Sequence, residues 1–341
     1  MEEGGCMVFA GEEDVRGLMG ECLGGGGDVS EDAMGRVCGI YDARTVLSSV
    51  SSFDHASYFS LLKTRQAGLG RVLVTASDTL STQASLQQRA GKVPHGTLFV
   101  SDRQTGGKGR GGNTWASPEG CLMCSMSIRY GGEGVTLPFV QYLVSLAVVQ
   151  TVTRLGRDKL QGHGAAQSMD VRIKWPNDIY DGQSKLKIGG VLCHSSYRDN
   201  AFFMTVGIGI NVSNEEPTTC LNAMLRDCIA GEHHDHGGIA FTREEIVAGI
   251  SNALEGMLDG LASRGFEPFR SEYYASWMHT GQKVVVREDD ASDGSVVTIV
   301  GLTDQGHLLG VDDAGQACEL HPDGNSFDFL NGLIKRKVPT L

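Results

Sequence analysis

Residues 104–118, QTGGKGRGGNTWASP, hold five glycines, two cations (Lys108 and Arg110) and one tryptophan, Trp115. An apolar run at 97–101 precedes the stretch and another at 121–128 follows it, and both read as buried strands. A basic, glycine-rich connection between strands can bring bare backbone N–H groups and two positive charges up to an anion. Lys and Arg then neutralise phosphate or carboxylate charge. Gly107, Gly109 and Gly112 match G-x-G-x-x-G, but a dinucleotide fingerprint opens a helix and the following NTWASPEG does not. A Walker loop fails as well, because glycine rather than Ser or Thr follows Lys108. On this stretch alone, a different nucleotide-binding loop and a flexible surface hairpin both stay open.

Three further segments work outward from it. Residues 171–180, VRIKWPNDIY, begin as an alternating strand and stop at Pro176, so that Asn177 and Asp178 sit at a strand end where a turn can aim side chains into a pocket. Residues 187–192, KIGGVL, start an apolar strand with Lys187 at its mouth and Gly190 within it. Residues 206–212, VGIGINV, end a strand with small residues and Asn211. Each is weak alone. Together and in this order, GKGRGGNxW, KWPND, KIGGVL and GIGINV resemble the catalytic domain of biotin protein ligases, the holocarboxylase synthetases. The resemblance starts near Phe53, passes through Ser81 and Thr82, reaches HPDGNSF at 321–327, and so covers most of the chain. The GRGGN loop is similar to that of the family's eukaryotic branch. Bacterial members usually carry arginine at the places of Lys108 and Asn113, so loop charge is lower here.

The resemblance implies an α+β fold: a mixed-sheet catalytic domain with helices, followed by a small SH3-like β-barrel. The expected division is a poorly ordered or accessory segment at 1–50, a biotin- and ATP-binding catalytic domain at 51–278, and the barrel at 279–341. It implies ATP-dependent activation of biotin to biotinyl-5'-AMP, with pyrophosphate release and transfer to a lysine of apo-biotin carboxyl-carrier domains. The hydroxyls of Ser81 and Thr82 would meet the ureido head of biotin, although Ser81 equally suits a plain helix cap. Gln104, Gly107 and Lys108 would line the biotin and adenylate pocket, with Asn113 and Gly190 beside them and Trp115 as a wall. Arg110, Lys174 and Lys187 would stabilise charge on the phosphates. Asn177 and Asn211 would contact the nucleotide. Asp178 would serve the nucleotide end, as an oxygen ligand to Mg2+ travelling with ATP or as an aid to deprotonating the acceptor lysine.

Composition bounds the alternatives. The chain has 341 residues, 40% hydrophobic and 21% charged, which describes an ordinary globule of one large and one smaller unit. A formal charge of −12 removes nucleic acid as the default partner. Residues 1–50 carry a glycine run at 24–27 and few basic residues, unlike a DNA-reading helix-turn-helix. No apolar run reads as membrane-spanning, and the acidic start MEEGGC is unlike a signal or mitochondrial leader. Nine scattered cysteines suggest reduced thiols and a cytoplasmic protein; a monomer or weak dimer is a separate expectation that no residue pattern carries. Cys121 and Cys124 lack a second pair for zinc, the histidines at 233–236 read as a solvated loop, and the basic end at 335–337 as a tail. Residues 105–115 have little apolar content to pin them and should order on binding ligand. A lipoate-type ligase and a non-catalytic biotin- or adenylate-binding regulator are the remaining rivals.

Overall fold

The computed structural model describes residues 6–10, 37–42, 51–65, 68–161, 168–229, 239–287, 294–322, 325–328 and 333–336. Its large sheet is mixed, with strand order β2-β1-β3-β4-β5-β9-β8-β7-β6. The central strands are β3 (Val72–Thr79), β4 (Leu98–Gln104), β5 (Cys121–Tyr130), β8 (Lys187–Arg198) and β9 (Ala201–Asn211). One edge carries β6 (Val171–Lys174) and β7 (Asp178–Asp181). The other edge carries β1 (Cys6–Ala10), antiparallel to β3, and β2 (Val37–Asp42), parallel to β1. Both strands fall within the segment expected to be poorly ordered or accessory at 1–50, and the rest of that segment lies outside the described residues.

Strand periodicity assigns the two faces of this sheet. On β5, Leu122, Cys124, Met126 and Ile128 enter the main apolar cluster. On β9, Val206, Ile208 and Ile210 do the same, which leaves Gly207, Gly209 and Asn211 on the opposite face. The sequence VGIGINV is thus one apolar face and one face stripped of side chains. A hairpin joins β8 to β9 through Asp199 (φ 50°) and Asn200 (φ 55°), residue types that tolerate the left-handed region.

The apolar face is covered by α3 (Leu137–Gln161) and α5 (Arg243–Arg264), which pack on one another, and by α6 (Glu267–Ser276). Shorter helices are α1 (His55–Leu61), α2 (Thr82–Gln87) and α4 (Leu221–Ile229). Helix α3 is buried almost all round, with Leu143, Val144, Leu146 and Ala147 at 0% exposure. Truncating Leu143 to Ala would cost about 2–5 kcal/mol through lost burial and the cavity left behind. The stretch Gly134–Gln161 is long and apolar enough to cross a membrane by length and composition, which corrects the sequence reading. In this fold, 67% of its most apolar window is buried inside the protein. Thr242 and Glu245 start α5 with the reciprocal bonds of a capping box, as their spacing predicts.

After α6 comes a second sheet of order β13-β12-β11-β10-β15-β14. Its strands are β10 (Lys283–Arg287), β11 (Ser295–Leu302), β12 (Leu308–Asp312), β13 (Ala317–Leu320), β14 (Asn325–Asp328) and β15 (Leu333–Arg336). The first four follow the alternation read in the sequence. The sequence reading omits the last two: β15 overlaps the basic end at 335–337 and pairs in parallel with β10. Among the described residues the pairings form an open order rather than a closed ring. Bonds from this region to the first sheet and its helices include the following. Met278 N–H donates to Ile173 O (3.0 Å), Trp175 N–H to His279 Nε2 (2.9 Å), and Tyr142 O–H to Gly306 O (2.5 Å).

Candidate active site

A cavity of about 360 Å3 opens on the stripped face of β5, β8 and β9, under the loop between β4 and β5. The glycines of β9 explain why there is room. A Cβ on Gly209 would stand 2.8 Å from the Trp115 indole, and one on Gly207 would collide with the Gln83 amide. Trp115 therefore lies flat on backbone and forms one wall. The Lys187 ammonium sits 5.5 Å from the centre of its ring, within cation–π range.

One end of the cavity is polar and tightly bonded. Ser81 caps α2, its hydroxyl accepting from Ala84 N–H at 3.3 Å. The Gln104 side-chain oxygen accepts from Thr82 N–H (2.8 Å) and faces the Thr82 hydroxyl (3.2 Å), while its amide donates to Ser117 Oγ (3.1 Å). Thr82 Oγ1 also lies 2.8 Å from Ser125 Oγ, and Ser125 reaches Gln83 Oε1 at 3.2 Å. Gln83 is then fixed by donating to the carbonyls of Leu192 and Thr205. Such a chain of buried, mutually satisfied groups holds one geometry.

The other end is ionic. Lys174 closes β6 and Asp178 opens β7 across the turn Trp175-Pro176-Asn177, whose Trp–Pro bond is cis. Asp178 Oδ1 lies 2.7 Å from Lys187 Nζ, and Oδ2 lies 3.8 Å from Lys174 Nζ. Their side chains are only 17–34% exposed. Asn177 is pinned by donating to Val191 O (2.9 Å) and by backbone pairing with the same residue. A Cβ on Gly190 would meet Asn177 O and Asp178 Oδ1 at 3.5 Å, an ordinary contact, so the corner lies directly against β8. Trp175 is 3% exposed and donates its indole N–H to Tyr142 Oη (2.8 Å). Burial pushes the Tyr180 phenol at this corner up to about 12, and the Asp178 charge adds to the rise.

The loop spans the two ends. Gly109 N–H donates to Asn113 O (2.7 Å) and Trp115 N–H to Gly107 O (3.0 Å). Gly111 (φ 65°) and Gly112 (φ 83°) turn the chain through the left-handed region, with open space where a Cβ would stand. Arg110 lines the cavity, close enough to the Tyr142 phenol for its charge to favour the phenolate, although burial dominates and raises that group.

Ser81, Thr82, Gln104, Lys108, Arg110, Asn113, Trp115, Lys174, Asn177, Asp178, Lys187 and Gly190 all line this one cavity. Two residues expected there do not. Gly107 is buried beneath it, where a Cβ would meet Trp115 O at 2.5 Å. Asn211 is 2% exposed and donates to Thr218 Oγ1 and Thr219 O, holding the loop after β9. Sequence reasoning missed Gln83 and Ser125, whose signal was their position on the polar face of α2 and β5. It also missed Leu308, Leu320 and Pro322, which the second sheet brings to the cavity from far along the chain. Cys121 and Cys124, three apart on β5, are separately buried and each pushed up to about 12 by burial, which suits structural thiols. The histidines at 233–236 lie outside the described residues.

Residues 74–211 match the profile of the Biotin/lipoate A/B protein ligase family. The chain is similar to "Biotin--protein ligase 2" of Arabidopsis thaliana, 41% identical over 290 residues, which cover 84% of this chain and 83% of that one. It is 35% identical to the human protein named "Biotin--protein ligase", over 85% of this chain and 38% of the human one. Among solved structures, the biotin protein ligase of Aquifex aeolicus in complex with biotin and ATP superposes with a TM-score of 0.55 at 24% identity, covering 73% of this chain and 94% of that one, a likeness of fold. By its match to the plant enzyme across more than four fifths of both chains, the protein belongs to the biotin--protein ligases of the Biotin/lipoate A/B protein ligase family.

Proposed function

We propose that the chain joins biotin to protein. It condenses biotin with ATP to biotinyl-5'-AMP, releases pyrophosphate, and passes the biotinyl group to a lysine of a biotin-carrier domain. The observation that carries this reading is the convergence of Arg110, Lys174 and Lys187, from three separate segments, on one cavity whose far end is the Thr82–Gln104–Ser125 network.

The polar network takes the ureido ring, and Trp115 on the glycine face takes the apolar body of biotin. The carboxylate then points toward the ionic end. A carboxylate is a poor electrophile, so its oxygen attacks the α-phosphorus of ATP and the bond to the pyrophosphate oxygen breaks. Negative charge gathers around the α-phosphate in that step. Lys187 and Arg110 stabilise it, and fixed cations in a largely dry site do so without reorganising. In transfer, the acceptor amine attacks the acyl carbonyl, the bond to AMP breaks, and the amine loses a proton. A free lysine has a pKa of about 10.4, so desolvation on docking or a nearby base must assist.

Asp178 has both oxygens engaged by ammonium groups, which supports a role in orienting Lys187 over a role as that base. One carboxylate already neutralised in this way is no metal cage. It fits Mg2+ that arrives on the phosphates of ATP and takes at most one protein oxygen, and the ion would supply further screening of phosphate charge. The carriers served, a monomeric or weakly dimeric state, a cytoplasmic location and a division of the chain near residue 279 belong to the same proposal.

Biotin-dependent exchange of labelled pyrophosphate into ATP, followed by addition of an apo carrier domain, tests the whole reading. Exchange and lysine labelling support it. Exchange with lipoate but not biotin would move the substrate to the other branch of the family, and no exchange with either would leave a binding protein.

A further inference from the structure

The strand pair that closes the cavity has a second face. In β12 and β13, Leu308 stands opposite Leu320, and Leu309 opposite Glu319. Leu308 and Leu320 are 0% and 1% exposed and line the cavity. One step further along the same antiparallel register, His307 stands opposite His321. Side chains alternate along a strand, so His307, Glu319 and His321 share the face that Leu308 and Leu320 do not. Two imidazoles and a carboxylate thus meet on the outside of the wall whose inside is the active site.

Their geometry is close. His307 Nδ1 lies 2.5 Å from Glu319 Oε1, and the two imidazole rings have centroids 3.9 Å apart. One ligand atom from each of the three residues lies within 4.8 Å of the others. Thr303 Oγ1, 3.3 Å from Glu319 Oε1, steadies the carboxylate. A divalent cation placed between them would bind all three groups at once.

We propose that His307, Glu319 and His321 form a binding site for a divalent transition-metal ion, Zn2+ foremost. Two nitrogens and one carboxylate oxygen are the borderline donor set that Zn2+ takes at about 2.0–2.2 Å, with solvent in a fourth tetrahedral position. The same set is a poor match for Mg2+, which prefers oxygen throughout. The bound ion ties β12 to β13 and stiffens the wall that presents Leu308 and Leu320 to the cavity, a role separate from the phosphate chemistry.

The test uses the untagged full chain after chelator treatment, titrated with Co2+ while its visible d–d bands are recorded, then with Zn2+ in competition. Two variants are compared: His307→Asn with His321→Asn, and a control in which His233, His234 and His236 are changed to Asn. The expected result is one tight equivalent in the wild type and in the control, at least tenfold weaker in the first variant. Zn2+ should raise the thermal midpoint of the first two and leave the double variant unmoved, and excess Mg2+ should not compete. Equal stoichiometry and affinity in the wild type and the double variant, or loss of the equivalent only in the control, overturns the proposal.

Discussion

At the corner of β6, β7 and β8, Lys174, Asp178 and Lys187 are held by one another's charges beside a turn bonded to backbone, whereas the loop between β4 and β5 offers Lys108 and Arg110 from a ribbon. The corner has Trp175 at 3% exposure, Asn177 at 9%, and bonds running to Val191, His279 and Tyr142. The loop is held mainly by backbone bonds within itself, with Lys108 bridged to Thr114 and open space around Gly111 and Gly112. Both bring positive charge to one cavity. A fixed cation stabilises a transition state without reorganising, while a ribbon can open to admit substrate and then close on it. On the proposed function, the difference divides the labour, with the corner serving the α-phosphate and the loop serving capture.

If that division holds, the largest loss should come from the corner. Lys187→Ala is expected to lower biotin-dependent pyrophosphate exchange by about 100–1000-fold, the scale of removing one preorganised donor. A loss smaller than that for Arg110→Ala would reverse the ranking of corner and loop. The corner's second support is His279, 0% exposed, which accepts from Trp175 N–H and pairs with Gln282 Oε1 through Nδ1. Burial pushes this imidazole down to about 4, and the Lys174 charge adds to the shift. Between about pH 6.5 and pH 4 the unfolded chain therefore holds a proton that the folded one refuses. Stability from this group is complete above pH 6.5 and falls as pH drops, by about 2 kcal/mol between pH 7 and pH 5. His279→Gln, which can still accept the Trp175 bond, should flatten that part of the urea-midpoint profile. An unchanged slope would show that the corner is not held this way.

How legible this was in the sequence depended on whether the signal was local. KWPND, KIGGVL and GIGINV announced the corner because a strand end, a proline turn and an alternating glycine face are set by neighbours within ten residues. Twelve of the fourteen residues named from sequence line one cavity. Asn211 and Gly107 fall outside the lining for different reasons: Asn211 shares the cavity's face of β9 but bonds to the loop after the strand, and Gly107 sits beneath the loop against Trp115 O. Leu308, Leu320 and His279 were invisible as site residues because only tertiary packing brings residues 279–322 beside residues 81–191. Strand β15 was read as a tail because its parallel pairing with β10 depends on a crossover that no local pattern encodes.

A smaller effect separates the two readings of Asp178. Asp178→Asn keeps the shape but removes the charge that holds Lys187 at 2.7 Å. Adenylate synthesis should fall by about 10–100-fold, while transfer from preformed biotinyl-5'-AMP stays within about threefold of wild type. Transfer falling as far as synthesis would restore the carboxylate as base.

The smallest change is expected on the ribbon. Lys108 is exposed, while His194 feels its charge as a minor influence beside burial, both of which lower the imidazole. Lys108→Ala should raise the KM for ATP or biotin by no more than about tenfold and leave the chemical step near wild type, because an exposed cation contributes to uniform binding more than to the transition state. The same ribbon should be cut by protease when empty and protected by biotin with ATP, whereas the corner, largely buried and bonded to Val191, His279 and Tyr142, should resist in both states. Equal cleavage of 105–115 with and without ligand would mean that the loop, too, is fixed in advance, and the contrast between a capturing ribbon and a preorganised corner would then have to be given up in favour of one rigid site.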